Sequence, residues 1–495
     1  LKIIVGNVQT HLVISGHDDM AYPGVKDALR DYMSVNVPGA WFSSQYKKRQ
    51  WDGKRYFITP TGKMATGFLP LLVNVLDRDY PNLYIELIDE RGEIPAFKSE
   101  LVTKIGSMLA EGDYVHQKHA IAAMDKWITL RELQIPFPRG IINAATNAGK
   151  TAVIAGLFLN LEGKNRMLVL IHQKTIFDQL VVAFEDVFNG DVGIINASTY
   201  KPNIITVAMI KTLSNRIAKS VNVKKDLATF NVVAVDECHL AGGKTYQHVL
   251  KHVPAPIRMF VSGTPFDSDA IVNKMISIGL SGPELFYISK RELMDKGISL
   301  EAKIHMHLCN EPVAWTGKGK EPFDWALENR IAKSAKRVAI MYDILKDYEG
   351  STLIAVNYIE HGRLLAASLG MMGIESIDFV SGKDNDKWRT KKIDDFKTGR
   401  TKTLVSTTIL KEGVNIPIIS KLIYAAGGKA KVDLKQWMGR VERLLEGAKD
   451  FIMHDFYDIG PYVETHSRSR RAAYKKEQLD VIEHYNRKII KEITA

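Results

Sequence analysis

The stretch INAATNAGKT, Ile142–Thr151, settles how the rest of this chain is read. It follows an apolar run and leads into AVIAGLFLNL, so a strand passes through a short turn into a helix, the setting of a phosphate-binding loop. The first N–H groups of a helix lack partners within it and sit at its positive pole. Thr146, Asn147, Ala148 and Gly149 are therefore candidates to wrap the phosphates of ATP. Lys150 would reach the β and γ groups, and the Thr151 hydroxyl would sit on Mg²⁺. Ala144 stands where the usual pattern has its first glycine, and short patterns of this kind also arise by chance in turns.

Segments further along the chain add weight. NVVAVDECHL ends an apolar run in Asp236, Glu237, Cys238 and His239, which sets two carboxylates at the carboxyl edge of a sheet, where α/β folds bind ligands. Asp236 is the expected Mg²⁺ partner, and Glu237 the group that orients or deprotonates an attacking water; a lone acidic pair would instead read as a solvated turn. His239 can report the state of the nucleotide, or be an ordinary turn histidine. Cys238 reads as a small buried residue, since nothing beside it marks a thiolate. After RMFV, Ser262 and Thr264 flank Gly263 at another strand end, two hydroxyls suited to a relay between nucleotide and nucleic acid.

Runs such as MLVLIH, IITVAM and NVVAVDE alternate with helical stretches, and the pattern restarts with STLIAVNY, TKTLVSTT and KLIYAAGG. Continuous β-branched runs belong to strands buried on both faces, so two consecutive α/β lobes with parallel sheets are predicted. The expected divisions are a small α+β unit at 1–98, a linker at 99–112, a nucleotide-binding lobe at 113–290, a second lobe at 291–465, and a basic terminal helix at 466–495. That helix rests on Leu479, Ile482, Tyr485, Ile489 and Ile490, at roughly helical spacing. In QWMGRVER the residues Gln436, Gly439, Arg440 and Arg443 fall on neighbouring turns. One guanidinium there can act as a finger on the γ-phosphate; Arg443 is the first choice and Arg440 its competitor.

With 495 residues, 45% hydrophobic and 25% charged, the chain has the composition of a globular protein of several domains. No apolar run approaches membrane-spanning length, and the first residues lack the pattern of a signal peptide. Two cysteines exclude a disulfide framework, and no Cys/His spacing marks a zinc site. A cytoplasmic monomer is expected. The formal charge of +11 has the sign that attracts phosphate backbones. Arg49, Trp51, Lys54, Arg55, Tyr56 and Phe57 interleave cations with aromatics, which suits phosphate contact plus base stacking; alternatively the aromatics are the core of a small domain.

Taken in order, HQKHA around Gln117, ATNAGKT, VLIHQKT near Gln173, VAMIKTL near Thr212, DECH, SGT, LIAVNYIEHG, FVSG, VSTTILKEGVNIP and QWMGRVER resemble the motifs of superfamily 2 helicases. The resemblance implies two RecA-like lobes closing around ATP, with nucleic acid crossing both. Gln117 would then read adenine, Tyr114 would stack on it, and Gly413 and Gln436 would approach the nucleotide. Gln173, Thr212, Asn357 and Thr407 would meet the sugar-phosphate backbone. QWDGKRYFI, SKRELMDKGISLEAKI and the VSTTILKEGVNIP region also look similar to the phage UvsW helicases, which remodel branched DNA and carry a small N-terminal DNA-binding domain. That likeness implies forked or branched DNA as partner, in phage replication, recombination or repair within the host cytoplasm. Thr408 and Asn415 stand where many relatives have Asp. An RNA helicase or a duplex translocase fits the same motor motifs, and a non-catalytic ATP-gated clamp is the rival of another class.

Overall fold

The computed structural model describes residues 1–14, 22–102, 104–105, 108–109, 114–266, 271–407, 419, 421–428, 450–485 and 488–493. They divide into two compact units, Leu1–Ile288 and Ser289–Ala495.

The first unit opens with a small sheet of β1 (Lys2–Val5), β2 (Gln9–Val13), β3 (Lys63–Ala65) and β4 (Glu86–Asp89), in the order β3-β2-β1-β4. KIIVGNVQTHLVI forms an antiparallel hairpin broken at Gly6, where the N–H turns back onto the Gln9 carbonyl. Helix α1 (Leu69–Asp79) carries Pro70 in its first turn, where no helical hydrogen bond is lost, and buries Leu69, Leu72, Val73 and Leu76 against this sheet. Beyond α2 (Val115–Ala122), the hairpin β5 (Trp127–Leu130) and β6 (Leu133–Pro136) returns Ile128, Leu130 and Ile135 to the same core. Buried Arg139 ties the small domain to the lobe behind it, donating to the carbonyls of Asn7 at 2.8 Å, Ser281 at 2.7 Å and Leu280 at 3.0 Å.

The lobe itself is an eight-stranded sheet of β7 (Arg139–Ala144), β8 (Met167–Ile171), β9 (Val192–Ile195), β10 (Tyr200–Lys201), β11 (Ile205–Met209), β12 (Val232–Asp236), β13 (Ile257–Ser262) and β14 (Glu284–Ile288). Its order is β10-β9-β11-β8-β12-β13-β7-β14, parallel except between β9 and β10. Every residue of MLVLI and IRMFVS is buried, as a sheet covered by helices on both faces requires.

The second unit repeats this plan with β15 (Glu301–Cys309), β16 (Thr352–Ala355), β17 (Ile377–Val380), β18 (Thr403–Ser406), β19 (Lys421–Tyr424), β20 (Asp450–Asp458), β21 (Asp480–Tyr485) and β22 (Lys488–Ile493), ordered β17-β18-β16-β19-β20-β15-β21-β22. Both lobes are thus predominantly parallel α/β sheets, as the motif pattern predicted.

The terminal helix needs correction. Helix α3 (Val463–Lys476) stops before Leu479, and the rest of the tail forms β21 and β22. β21 pairs in parallel with β15 and antiparallel with β22. Leu479 and Val481 enter the lobe core. Apolar residues spaced by three satisfied a helical template, but main-chain partners offered by β15 select the strand. Among the described residues no helix is long and apolar enough to cross a membrane.

Candidate nucleotide-binding site

In a parallel sheet all carboxyl ends lie at one edge, so β7, β8, β11, β12 and β13 gather their following turns there. After β7 the chain turns through Thr146, Asn147 and Ala148, with Asn147 at φ 74° and Gly149 at φ 76°, both left-handed. Gly149 caps the helix Lys150–Leu159. A Cβ at Gly149 would lie 2.0 Å from Nε2 of Gln117, so both the backbone and a neighbour demand glycine. Gly149→Ala should therefore cost about 1–3 kcal/mol of stability in denaturant unfolding and displace Gln117. An unchanged midpoint would mean that the loop adopts another conformation.

Gln117 donates through Nε2 to the Ala148 carbonyl at 3.1 Å, and His116 Nε2 donates to the same oxygen at 2.8 Å. Gln117 is 2% exposed, and among the described residues its Oε1 has no hydrogen-bond partner. A buried acceptor left dry costs about 1–3 kcal/mol; the exocyclic amino group of adenine is a donor of the kind that would satisfy it. Tyr114, partly exposed at the head of α2, has its ring 6.0 Å from that of His116. The helix N–H groups at one end and the Gln117 acceptor at the other are the groups that adenosine triphosphate would use here. His116 was not foreseen; only its place beside Gln117 could have flagged it.

At the end of β12, Asp236 Oδ1 accepts from the N–H of Glu237 at 2.9 Å, and Glu237 takes the left-handed conformation at φ 51°. That turn carries the Glu237 carboxylate to 3.3 Å from His239 Nδ1 and 3.4 Å from Ser262 Oγ. Ser262 in turn accepts from the Thr264 N–H at 3.1 Å. Burial opposes ionisation of Glu237, but the His239 hydrogen bond and the charge of Lys150 outweigh it and hold the carboxyl down to about 2. It is therefore an anion at neutral pH, near a lysine that would face a phosphate. Cys238 is fully buried, and burial followed by the two adjacent acids pushes its thiol up, which disarms it as a nucleophile. Thr151 and Asp236 supply hard oxygens; Mg²⁺ sites use one or two such groups plus substrate phosphates.

Gln173, after β8, and Thr212, in the first turn after β11, lie along this same edge. In the second unit Asn357 follows β16 and adjoins Gly428. Thr407 is 6% exposed, with its N–H on the Val380 carbonyl. Gly413, Gln436, Arg440 and Arg443 lie outside the described residues, as do Thr408 and Asn415.

In the small domain Arg49 and Arg55 are exposed, whereas Lys54 is ion-paired with Asp31. Trp51 is partly buried and donates to the Lys54 carbonyl at 2.8 Å; Phe57 packs on Phe68 in the core. Not foreseen were the neighbours Trp41, Tyr46 and Asp52, which with Lys47, Arg49 and Trp51 line a surface pocket of about 530 Å³. Trp41 is 59% exposed. The cation–aromatic alternation simply begins earlier, at GAWFSSQYKKR.

Residues 113–267 match the family model described as type III restriction enzyme, res subunit, and residues 336–444 match the helicase conserved C-terminal domain. The chain is 22% identical to the ATP-dependent DNA helicase uvsW of Enterobacteria phage T4 over 448 residues, covering 84% of this chain and 83% of that protein. With the protein described as probable helicase D10 of Escherichia phage T5 it shares 23% identity over 401 residues, 80% of this chain and 82% of the relative. A fragment of a type I restriction enzyme HsdR subunit from Vibrio vulnificus YJ016 superposes with a TM-score of 0.53 at 15% identity, over 77% of this chain and 70% of that one. That likeness supports the fold.

Proposed function

Since the chain belongs to the superfamily 2 helicases and carries both of their domains, we propose that it is an ATP-driven DNA motor. Its substrates are forked or branched duplexes, which it unwinds, reverses or migrates in phage replication, recombination or repair. The observation that carries the motor chemistry is the ionised Glu237 beside Lys150, Ser262 and His239. Lys150 binds the phosphates, and Glu237 accepts a proton from the water that attacks the γ-phosphorus. Held by Thr151 and Asp236, Mg²⁺ would neutralise charge on the phosphate oxygens. Ser262 and His239 hold Glu237 in place and link it to Thr264 and the next strand end.

DNA as the track is supported by the T4 relative, described as a DNA helicase. The fork is supported by the aromatic and cationic pocket of the small domain, where Trp41, Tyr46 and Trp51 offer stacking faces and Arg49 and Lys47 a positive rim. Stimulation of ATP hydrolysis by forked DNA, single-stranded DNA and RNA, with strand displacement on the same forks, tests this reading. Greatest stimulation by RNA would move the substrate to RNA, and tight binding without turnover would make the chain a clamp.

Joint alanine substitution of Arg49, Lys54 and Arg55 should weaken fork binding and flatten its salt dependence. Each lost phosphate contact removes about 0.7–0.9 from the slope of log K against log salt. Lys54 already has Asp31 as partner, so the expected change is about two contacts' worth. A slope that stays put would assign this face to another task.

A further inference from the structure

Four of the chain's 14 histidines meet on three neighbouring strands of the second lobe. His305 and His307, two apart on β15, share one face of the sheet. Register sets His454 of β20 beside His305, and His484 of β21 beside His307. The rings close a quadrilateral with centroid separations of 5.1 Å for His305 and His454, 5.0 Å for His305 and His484, 5.1 Å for His307 and His454, and 4.8 Å for His307 and His484. Nδ1 of His305 lies 2.9 Å from Nε2 of His484, and Nε2 of His307 lies 2.9 Å from Nδ1 of His454. His454 is 7% exposed, and among the described residues its Nε2 has no hydrogen-bond partner.

A sheet face gains little stability from four imidazoles. Aliphatic side chains would bury more apolar surface and leave no dry nitrogen. Imidazole is the commonest side-chain ligand of transition metals.

We propose that this histidine quartet is a binding site for a divalent transition-metal ion of the zinc type. All-nitrogen ligand sets suit zinc, copper and nickel rather than magnesium or calcium. As the side chains stand, no group of three donors among the described residues is arranged to hold an ion. The nitrogens are instead joined in pairs, and the His484 ring lies within 15° and 18° of parallel to His305 and His307. Two imidazole nitrogens on a tetrahedral zinc, each about 2.0–2.1 Å from the metal, stand about 3.3 Å apart. Each 2.9 Å pair thus has to open by only a few tenths of an ångström. The donor ring's hydrogen moves to its other nitrogen, so a lone pair is freed with no net loss of a proton. Rotation about χ2, which is soft for histidine, turns the second pair toward the same ion. Metal bound here fastens β21, and with it the terminal hairpin, to β15 and β20.

The probe is Zn²⁺ itself, added to the full chain, with unbound metal removed by desalting and the remainder counted. The test protein carries His248→Ala, which removes the exposed His248 paired with His252 on another element. One retained zinc per chain is expected, with affinity at least 10- to 100-fold lower after the further changes His307→Gln and His484→Gln, the loss that even an outer-shell partner can cause. Equal affinity in the two proteins overturns the site. If the double variant fails to fold, X-ray absorption at the zinc edge of the His248→Ala protein decides: two or more imidazole ligands support the site, and fewer overturn it.

Discussion

Glu237→Gln should lower the turnover of ATP by about 10²–10⁴-fold, the range for removing a positioned general base, while ATP affinity changes only a few-fold. The amide keeps the size of the carboxylate and can still hydrogen-bond His239 and Ser262, which stand 3.3 Å and 3.4 Å from the native oxygen. What it loses is the capacity to take a proton. The native group is held as an anion, since the His239 contact and the Lys150 charge overcome burial, and it can orient the water through that charge. Lys150→Ala is the companion change, and should abolish both binding of the triphosphate and its hydrolysis. Single-turnover hydrolysis and nucleotide titration on the same preparations separate the two. Wild-type turnover in the glutamine variant would move the base elsewhere, and nucleic-acid-stimulated hydrolysis equal to the parent in Lys150→Ala would remove this loop from the active site.

The part of this site that could be read directly is local. Phosphate loop, DECH and SGT each sit at a strand end, and a strand buried on both faces announces itself as a continuous apolar run such as MLVLI. Gln117 was also legible by position, but not its bond to the Ala148 carbonyl, which depends on how α2 packs over the loop. The histidine quartet left no local trace, because its hydrogen-bonded pairs are separated by 179 and 147 residues and become neighbours only through strand order. Charge misled in another way. The run SRSRRAAYKK reads as one basic face, yet Arg470 within it is fully buried while Arg468 is mostly exposed. Composition counts cations without seeing which ones have a carboxylate waiting inside.

That buried arginine carries the largest expected effect on stability: Asp455→Ala should destabilise the second lobe by about 3–5 kcal/mol, the usual result of stripping a buried charge of its partner. Arg470 reaches Asp455 through Nε at 2.9 Å, the Gly428 carbonyl through Nη1 at 2.9 Å and the Phe456 carbonyl through Nη2 at 2.6 Å. Tyr474 donates to Asp455 at 2.7 Å from one turn further along α3. Removing the carboxylate therefore leaves a guanidinium and a phenol in a site with no exposed surface for either. Asp455→Leu combined with Arg470→Met removes both charges and should recover much of the loss, since a packed apolar pair can match a buried ion pair. Calorimetric unfolding of the three proteins measures the difference. A double variant no more stable than Asp455→Ala would mean that the hydrogen bonds to Gly428 and Phe456, not the charge pair, fasten α3. The distinction matters for the motor because Gly428 adjoins Asn357, so the network that docks this helix also positions a residue proposed to hold nucleic acid.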